Sequence, residues 1–300
     1  DNIVFILMLI GAGVWFGKNV GRIRRNILLG RDADVSGNDS VRLSTMLRVA
    51  VGQSKMKARP VAGFLHLIVY AGFILINIAL LEILIDGIFG THRIFASPLG
   101  SLYNVALGFF ELLAAGVLVA CAIFLYRRNV LKIDRFHRPE MEGWPFKDAN
   151  YILIIEIVLM SGLLIMNAAE ANFTHRVAGP FLISQFIAPV FSGMDQGTLH
   201  IIERVCWWGH FTGILLFMNY LPFSKHFHIM LAFPNTYYSN LKAKGEFNNL
   251  EAVKKEVELM MDPNADPYAA PPETQEEPQR FGAKDVQDLS WVHLMNAYTC

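Results

Sequence analysis

Four long apolar runs constrain this chain more than any other feature: Val61 to Ile85, Leu99 to Tyr126, Ala149 to about Ala169, and Leu199 through Pro222 toward Phe233. At about 1.5 Å rise per residue, roughly 20 apolar residues cross the hydrocarbon core of a bilayer. A further run, Asn2 to about Gly17, is short for a span unless residues precede Asp1. Charged residues make up 17% of the chain, against about a quarter in soluble domains. They concentrate in the loops and in the polar, proline-bearing stretch after Phe233. The formal net charge is zero, so no overall basic field points to nucleic acid. The expected fold is an all-α integral membrane protein with five transmembrane helices and a polar C-terminal tail.

The loops predict its orientation. Between the first and second runs lie Arg22, Arg24, Arg25, Arg31, Arg42, Arg48, Lys55, Lys57 and Arg59. Between the third and fourth lie Arg127, Arg128, Lys132, Arg135, Arg138 and Lys147. The other two loops carry only Arg93 and Arg176. Basic loops stay cytoplasmic. The N-terminus is therefore expected outside and the tail inside a bacterial or archaeal inner membrane, crossed several times.

Ser40 to Met56 reads as a helix lying along the bilayer surface, and Arg59-Pro60 as the start of the second span. In the tail, Leu250 to Met261 reads as a helix, Asp262 to Pro278 as an extended linker, and Val286 to Tyr298 as a second helix. The resulting organisation is a transmembrane domain over residues 1–233, a connector and linker over 234–284, and the start of a further domain over 285–300. Cys121, Cys206 and Cys300 offer no even-numbered disulfide framework.

Polar side chains inside a membrane helix are costly and therefore functional candidates. His66 lies six residues into the second run, near its cytoplasmic end. His210 lies mid-way through the fifth, and His228 lies 18 residues further on. In one continuous helix that spacing is five turns, which puts His210 and His228 on one face about 27 Å apart, less if Pro222 kinks it. His66 and His228 would share a depth near the cytoplasmic surface. Two imidazoles from facing helices at one level are the axial ligands a b-type haem takes. A single membrane histidine is as often a helix-to-helix hydrogen bonder; two same-face histidines on one helix and a depth-matched third on another shift the balance toward haem. His226, two residues before His228, turns to the opposite side.

The run His210-Phe-Thr-Gly-Ile-Leu-Leu-Phe-Met-Asn-Tyr-Leu-Pro222-Phe-Ser-Lys-His-Phe-His228 resembles the last helix of the respiratory nitrate reductase gamma subunit and of heterodisulfide reductase-type membrane cytochromes b. Phe64-Leu-His66 resembles the position of that family's inner haem ligand. The resemblance covers about residues 1–233 and implies a five-helix cytochrome b domain. It implies an inner haem held by His66 and His228 and a second haem at His210, the metal ligands being these three histidines. The chain departs from the family at Ile76, where a second histidine of the same helix would serve the outer haem. That leaves His92, His175 and, least naturally, His200 as outer-side partners for His210. Asp285 to Cys300 resembles the helix that precedes the first cluster cysteine of iron–sulfur subunits. This implies Cys300 as a [4Fe–4S] ligand and a polypeptide that continues beyond it.

Glu82, Glu111 and Glu156 lie within apolar runs. Glu82 and Glu111 could exchange protons with a quinone head group, but interhelical hydrogen bonding is the favoured role. The expected function is electron transfer between a menaquinone or ubiquinone pool and a cytoplasmic iron–sulfur or flavoprotein partner, with membrane lipid as the surrounding partner. The alternative is a non-redox anchor or transporter with structural histidines, although neither a broken-helix pair nor an internal repeat supports a transporter.

Overall fold

The computed structural model describes the chain except for residues 176, 244, 247–249, 264–281 and 300. Arg176, most of the expected linker and Cys300 thus lie outside the described residues. Among these residues the chain is helical, with one isolated β-bridge between Arg31 and Ser290. In chain order the helices are α1 (Asn2–Ile27), α2 (Asp39–Met46), α3 (Pro60–Phe89), α4 (Ala96–Leu99), α5 (Ser101–Asn129), α6 (Trp144–Glu170), α7 (Gln196–Tyr220), α8 (His228–Tyr237), α9 (Glu251–Met261) and α10 (Trp291–Thr299). Contacts divide them into two compact units: residues 1–21 with 52–227, and residues 22–51 with 228–300.

In the first unit, α1, α3, α5 and α6 are each long and apolar enough to cross a membrane. Their outward surfaces agree: Ile3, Val4, Leu7, Ile10 and Val14 on α1 and Leu102, Val105, Phe109 and Leu112 on α5 are exposed. Apolar stripes of this size are not left to water. The first span is longer than its apolar run. Lys18, Arg22, Arg24 and Arg25 end the hydrophobic stretch but not the helix, because backbone hydrogen bonding continues into the basic turns. Pro60 sits in the first turn of α3, where its missing N–H leaves nothing unsatisfied. The helix stops at Gly90, whose φ of 72° suits the left-handed C-cap; a side chain there would meet the Asn2 amide at 2.7 Å.

Lipid gives apolar side chains no reason to leave one another's company for water, so helix association in a membrane rests on close packing and polar contacts. The small residues Ala114 and Ala120 of α5 are fully buried, and α3 approaches α5 so closely at Gly72 that a Cβ would lie 2.4 Å from Val117. Ile76, where the resembled family has its second histidine, packs into the hydrocarbon cluster of Val117, Cys121 and Leu159. Phe5 of α1 is seated against Phe211 and Trp207 of α7, with ring centres 4.0 and 5.6 Å apart.

The fifth run does not form one helix. The α-helix ends at Tyr220, and Leu221–Phe223 and Lys225–Phe227 are 3-10 turns separated by extended Ser224. Pro222 cannot donate to the helical ladder and its ring opposes the preceding turn. Asp148 of α6 then holds the break open, accepting from Tyr220 Oη and, at 3.0 Å, from the Lys225 amide. α7 also carries charge within its length: Arg204 donates twice to buried Glu203, each at 2.5 Å.

In the second unit, α10 packs on α8, and α8 on α2. The Arg31 amide donates to Leu289 and the Trp291 amide to Arg31 (2.9 and 3.1 Å), and Trp291 meets Tyr238 edge-on at 4.9 Å. Buried Arg42 donates to the carbonyls of Gly37, Tyr237 and Ser239. The expected surface helix is shorter than its apolar pattern: α2 ends at Met46 and passes into a π-helical turn over Leu47–Val51.

Candidate functional site

The richest concentration of chemistry lies at the end of the first unit where α3 and α6 finish and α5 begins. Glu82 and Asp86 are one helical turn apart and share a face of α3. Asp86 organises the loop that follows: it accepts from Thr91 Oγ1 (2.5 Å), the Arg93 amide (2.7 Å) and the Ile94 amide (3.2 Å). Arg93 adopts a left-handed φ of 51°, a conformation that costs a non-glycine residue energy and is held here by those bonds. The turn sends its guanidinium inward, where only 10% of the side chain stays exposed.

Arg93 Nε and Nη2 reach both oxygens of Glu170, the shortest contact being 2.6 Å. Nη1 donates to Tyr103 Oη at 3.0 Å and Nη2 to Asn167 Oδ1 at 2.9 Å. Tyr103 Oη donates onward to Glu82 at 2.6 Å. Asn167 Nδ2 donates at 3.0 Å to Glu111, which is 1% exposed. Glu111 also accepts from the Ile183 amide (2.9 Å), the Ser184 amide (3.4 Å) and Ser184 Oγ (2.5 Å). His92 Nε2 lies 3.6 Å from Glu170. Burial works against the charge of Arg93, and Glu170 beside it outweighs that, so the guanidinium is held protonated more firmly than usual.

This network unites Glu82 and Glu111 and gives both the bonding role expected of them. Its carboxylates are saturated with donors, so it ties α3, α5, α6 and the loop after α6 together. Sequence reading did not find its centre. Arg93 stood out only as the lone cation of its loop, and Tyr103, Asn167 and Glu170 gave no signal. Glu156 lies elsewhere, beside Cys121, with no hydrogen bond among the described residues.

The histidines are distributed differently. His210 is buried on α7 and donates from Nδ1 to the Leu159 carbonyl of α6 at 3.0 Å. That bond is a helix-to-helix tie that fixes the imidazole's orientation and tautomer, leaving Nε2 as the other nitrogen. His66 is half-buried on α3 in the first unit, and His228 is half-buried as the first residue of α8 in the second. The five-turn argument placing His210 and His228 on one face fails, because it needs an unbroken helix and Pro222 ends it. His175 and His200 are exposed, the latter against Phe173 with ring centres 4.3 Å apart. The His226 ring lies tilted against Phe217, with ring centres 5.4 Å apart. Among the described residues no group of three or more His, Cys, Asp and Glu gathers as a metal site.

No family model matches the chain, and no solved structure matches it significantly. Curated proteins do. The chain is 24% identical over 275 residues to a probable iron–sulfur-binding oxidoreductase, FadF, of Bacillus subtilis (strain 168), covering 91% of this chain and 35% of that protein. It is 22% identical over 319 aligned residues to an EtfAB:quinone oxidoreductase of Syntrophomonas wolfei, covering 99% of this chain and 38% of that protein. The chain thus spans little more than a third of the length of these relatives. It is a multi-helix, membrane-type chain similar along nearly its whole length to one part of two oxidoreductases.

Proposed function

We propose that the chain is the haem-b membrane part of a longer oxidoreductase that moves electrons between a membrane quinone pool and an iron–sulfur domain. The observation that carries this reading is the match of nearly the entire chain to two oxidoreductases, one named as iron–sulfur-binding and the other as an EtfAB:quinone oxidoreductase. Four helices suited to a bilayer support a site within reach of a lipid-soluble quinone.

In this reading His66 and His228 are the axial ligands of an inner haem, and His210 ligates a second, outer one. The donor set is right for the group, since neutral imidazoles are the ligands of low-spin haem b, which supplies one-electron transfer when bound. The Leu159 carbonyl would hold the His210 ring with Nε2 ready to ligate. Cys300 is a [4Fe–4S] ligand, α10 leads to it, and α10 packs on the helix that His228 begins. The five-span topology with α7 as the fifth, the outside N-terminus and the cytoplasmic tail facing an iron–sulfur or flavoprotein partner complete the proposal.

The test is haem content. His66→Ala and His228→Ala should each abolish the haem they share, and the haem-to-protein ratio should be near two and fall to one in His210→Ala. Unchanged spectra in both single variants would overturn the inner assignment, and a ratio of one with the inner pair intact would remove the outer haem. The intact mass of the native protein tests continuation beyond Cys300: a mass of residues 1–300 alone, 33.8 kDa plus haem, counts against it.

A further inference from the structure

At the opposite end of the first unit, a second buried arginine is solved in another way. Arg128, in the last turn of α5, is 5% exposed. Its Nε donates to Asn150 Oδ1 at 3.0 Å and its Nη2 to the Phe146 carbonyl at 3.1 Å. The guanidinium carbon lies 4.7 Å from the Phe136 ring centre and 4.9 Å from that of Phe146, so it is clamped between two phenyl faces. None of the ion pairs among the described residues involves it. Asp148, the buried acid of the neighbouring helix, is taken by Tyr220 and the Lys225 amide. A guanidinium is charged at any accessible pH, and a buried charge with neutral partners alone keeps most of its desolvation cost.

The two rings that clamp Arg128 also line a cavity of about 380 Å³, together with His137, Met141, Glu142, Gly143 and Lys147. His137 is itself fixed on the Arg128 carbonyl, at 3.0 Å. The charged and titratable groups lining this space are Lys147, His137 and Glu142; Arg128 and Arg135 lie on its Phe136 ring, and Lys225 is close enough to feel Arg128 and Asp148. Around the cavity the cations Arg128, Arg135, Lys147 and Lys225 thus stand against two acids, Glu142 and Asp148. The position is that of a bilayer interface: exposed Trp144 and half-exposed Tyr151 and Tyr220 cluster beside it, with ring centres 6.2 and 6.4 Å from Trp144, as aromatic residues do at head-group level.

We propose that this cavity binds the phosphate of a phospholipid head group, which supplies from the membrane the negative charge that Arg128 lacks among the described residues. Basic pockets between span ends take acidic head groups in this way. The mixed lining has a use, because Lys147 and His137 meet the phosphate while Met141 and the two rings receive the apolar start of the acyl chains.

Native mass spectrometry of the full chain, delipidated in a phosphate-free detergent and titrated with phosphatidylglycerol, tests this. The unaltered chain should retain one tightly held lipid, and Arg128→Gln and Lys147→Gln should each weaken it about tenfold, whereas Lys132→Gln should not. Lys147 is exposed, so its variant reports on the site even where Arg128→Gln folds poorly. Diacylglycerol, which lacks the phosphate, should bind no better than background. Displacement of the lipid by inorganic phosphate would reassign the site to the free anion and overturn the lipid assignment. Equal binding by the unaltered chain and both variants, or by diacylglycerol and phosphatidylglycerol, would overturn the proposal altogether.

Discussion

Two arginines, Arg93 and Arg128, are buried at opposite ends of the same helical unit, and their surroundings differ in kind. Arg93 is answered within the protein: both oxygens of Glu170, a tyrosine and an asparagine take its donors. Arg128 is answered by an amide, a carbonyl and two aromatic faces. One end of the unit pairs its arginine with an acid of its own, and at the other no acid among the described residues pairs with the arginine. An arginine at a span end is thus not one kind of feature. Whether it is a strut or part of a binding site depends on whether a carboxylate reaches it.

The largest expected effect breaks the closed end. Arg93→Ala or Glu170→Ala deprives one buried charge of its bidentate partner and should cost about 3–5 kcal/mol of stability. The double variant should cost much less than the sum of the two. Unfolding in a denaturing detergent measures all three, and small additive losses would mean that the pair is not the closed system described here.

The open end should respond less and in a condition-dependent way. Arg128→Met removes a charge without stranding an acid, so in detergent it should cost at most about 1–3 kcal/mol. The gap between this variant and the unaltered chain should widen in phosphatidylglycerol nanodiscs. A gap that is the same in detergent and in lipid would make the two arginines alike.

Glu111→Gln sharpens the contrast at the closed end. The amide can still accept at its oxygen, but its nitrogen faces donors rather than acceptors, for a cost of about 1–2 kcal/mol. Hydrogen exchange should accelerate at the Ile183 and Ser184 amides, which donate to this carboxylate, and not at Lys225. Protection unchanged at both amides would show that the loop is held by other contacts.

The smallest effect concerns the same end at low pH. Thr198, through its hydroxyl and its amide, holds the Asp195 carboxyl below its ordinary range as the N-cap of α7. A carboxyl whose folded pKa is depressed stabilises the fold above its unfolded pKa, and that contribution is lost as pH falls through the folded value. Asp195→Asn should therefore match the unaltered chain near neutrality, because asparagine caps equally well. It should also lose less helix on acidification below about pH 4. Parallel acid titrations by circular dichroism would contradict the capping role.

Much of the fold was legible in single residues and runs. The membrane-type helices α3, α5 and α6 appear within a few residues of the apolar runs, Pro60 marks a helix start, and α9 lies inside the stretch that predicted it, whereas α10 fills only the later part of its stretch and runs one residue past it, after a separate 3-10 turn over Val286–Asp288. Where hydropathy misled, the reason is physical. Hydropathy reports which residues tolerate lipid, whereas a helix is continued by its backbone, so α1 runs ten residues past its apolar stretch into Lys18 and the arginines. Conversely the fifth apolar run looks continuous, yet Pro222 and the two bonds to Asp148 divide it.

The sequence alone determined which stretches are apolar enough to enter lipid and that Pro222 lies between His210 and His228, because these follow from composition and from neighbours a few positions apart. Tertiary structure alone decided which charges find partners. Arg93 meets an acid 77 positions away because a left-handed residue turns it inward and α6 ends at the same level. Among the described residues Arg128 meets none, and Asp148, 20 positions away, is already engaged by α7 and the turn after it. Local pattern specifies where helices form, but the compensation of a buried charge depends on which side chains the packed helices bring within about 4 Å.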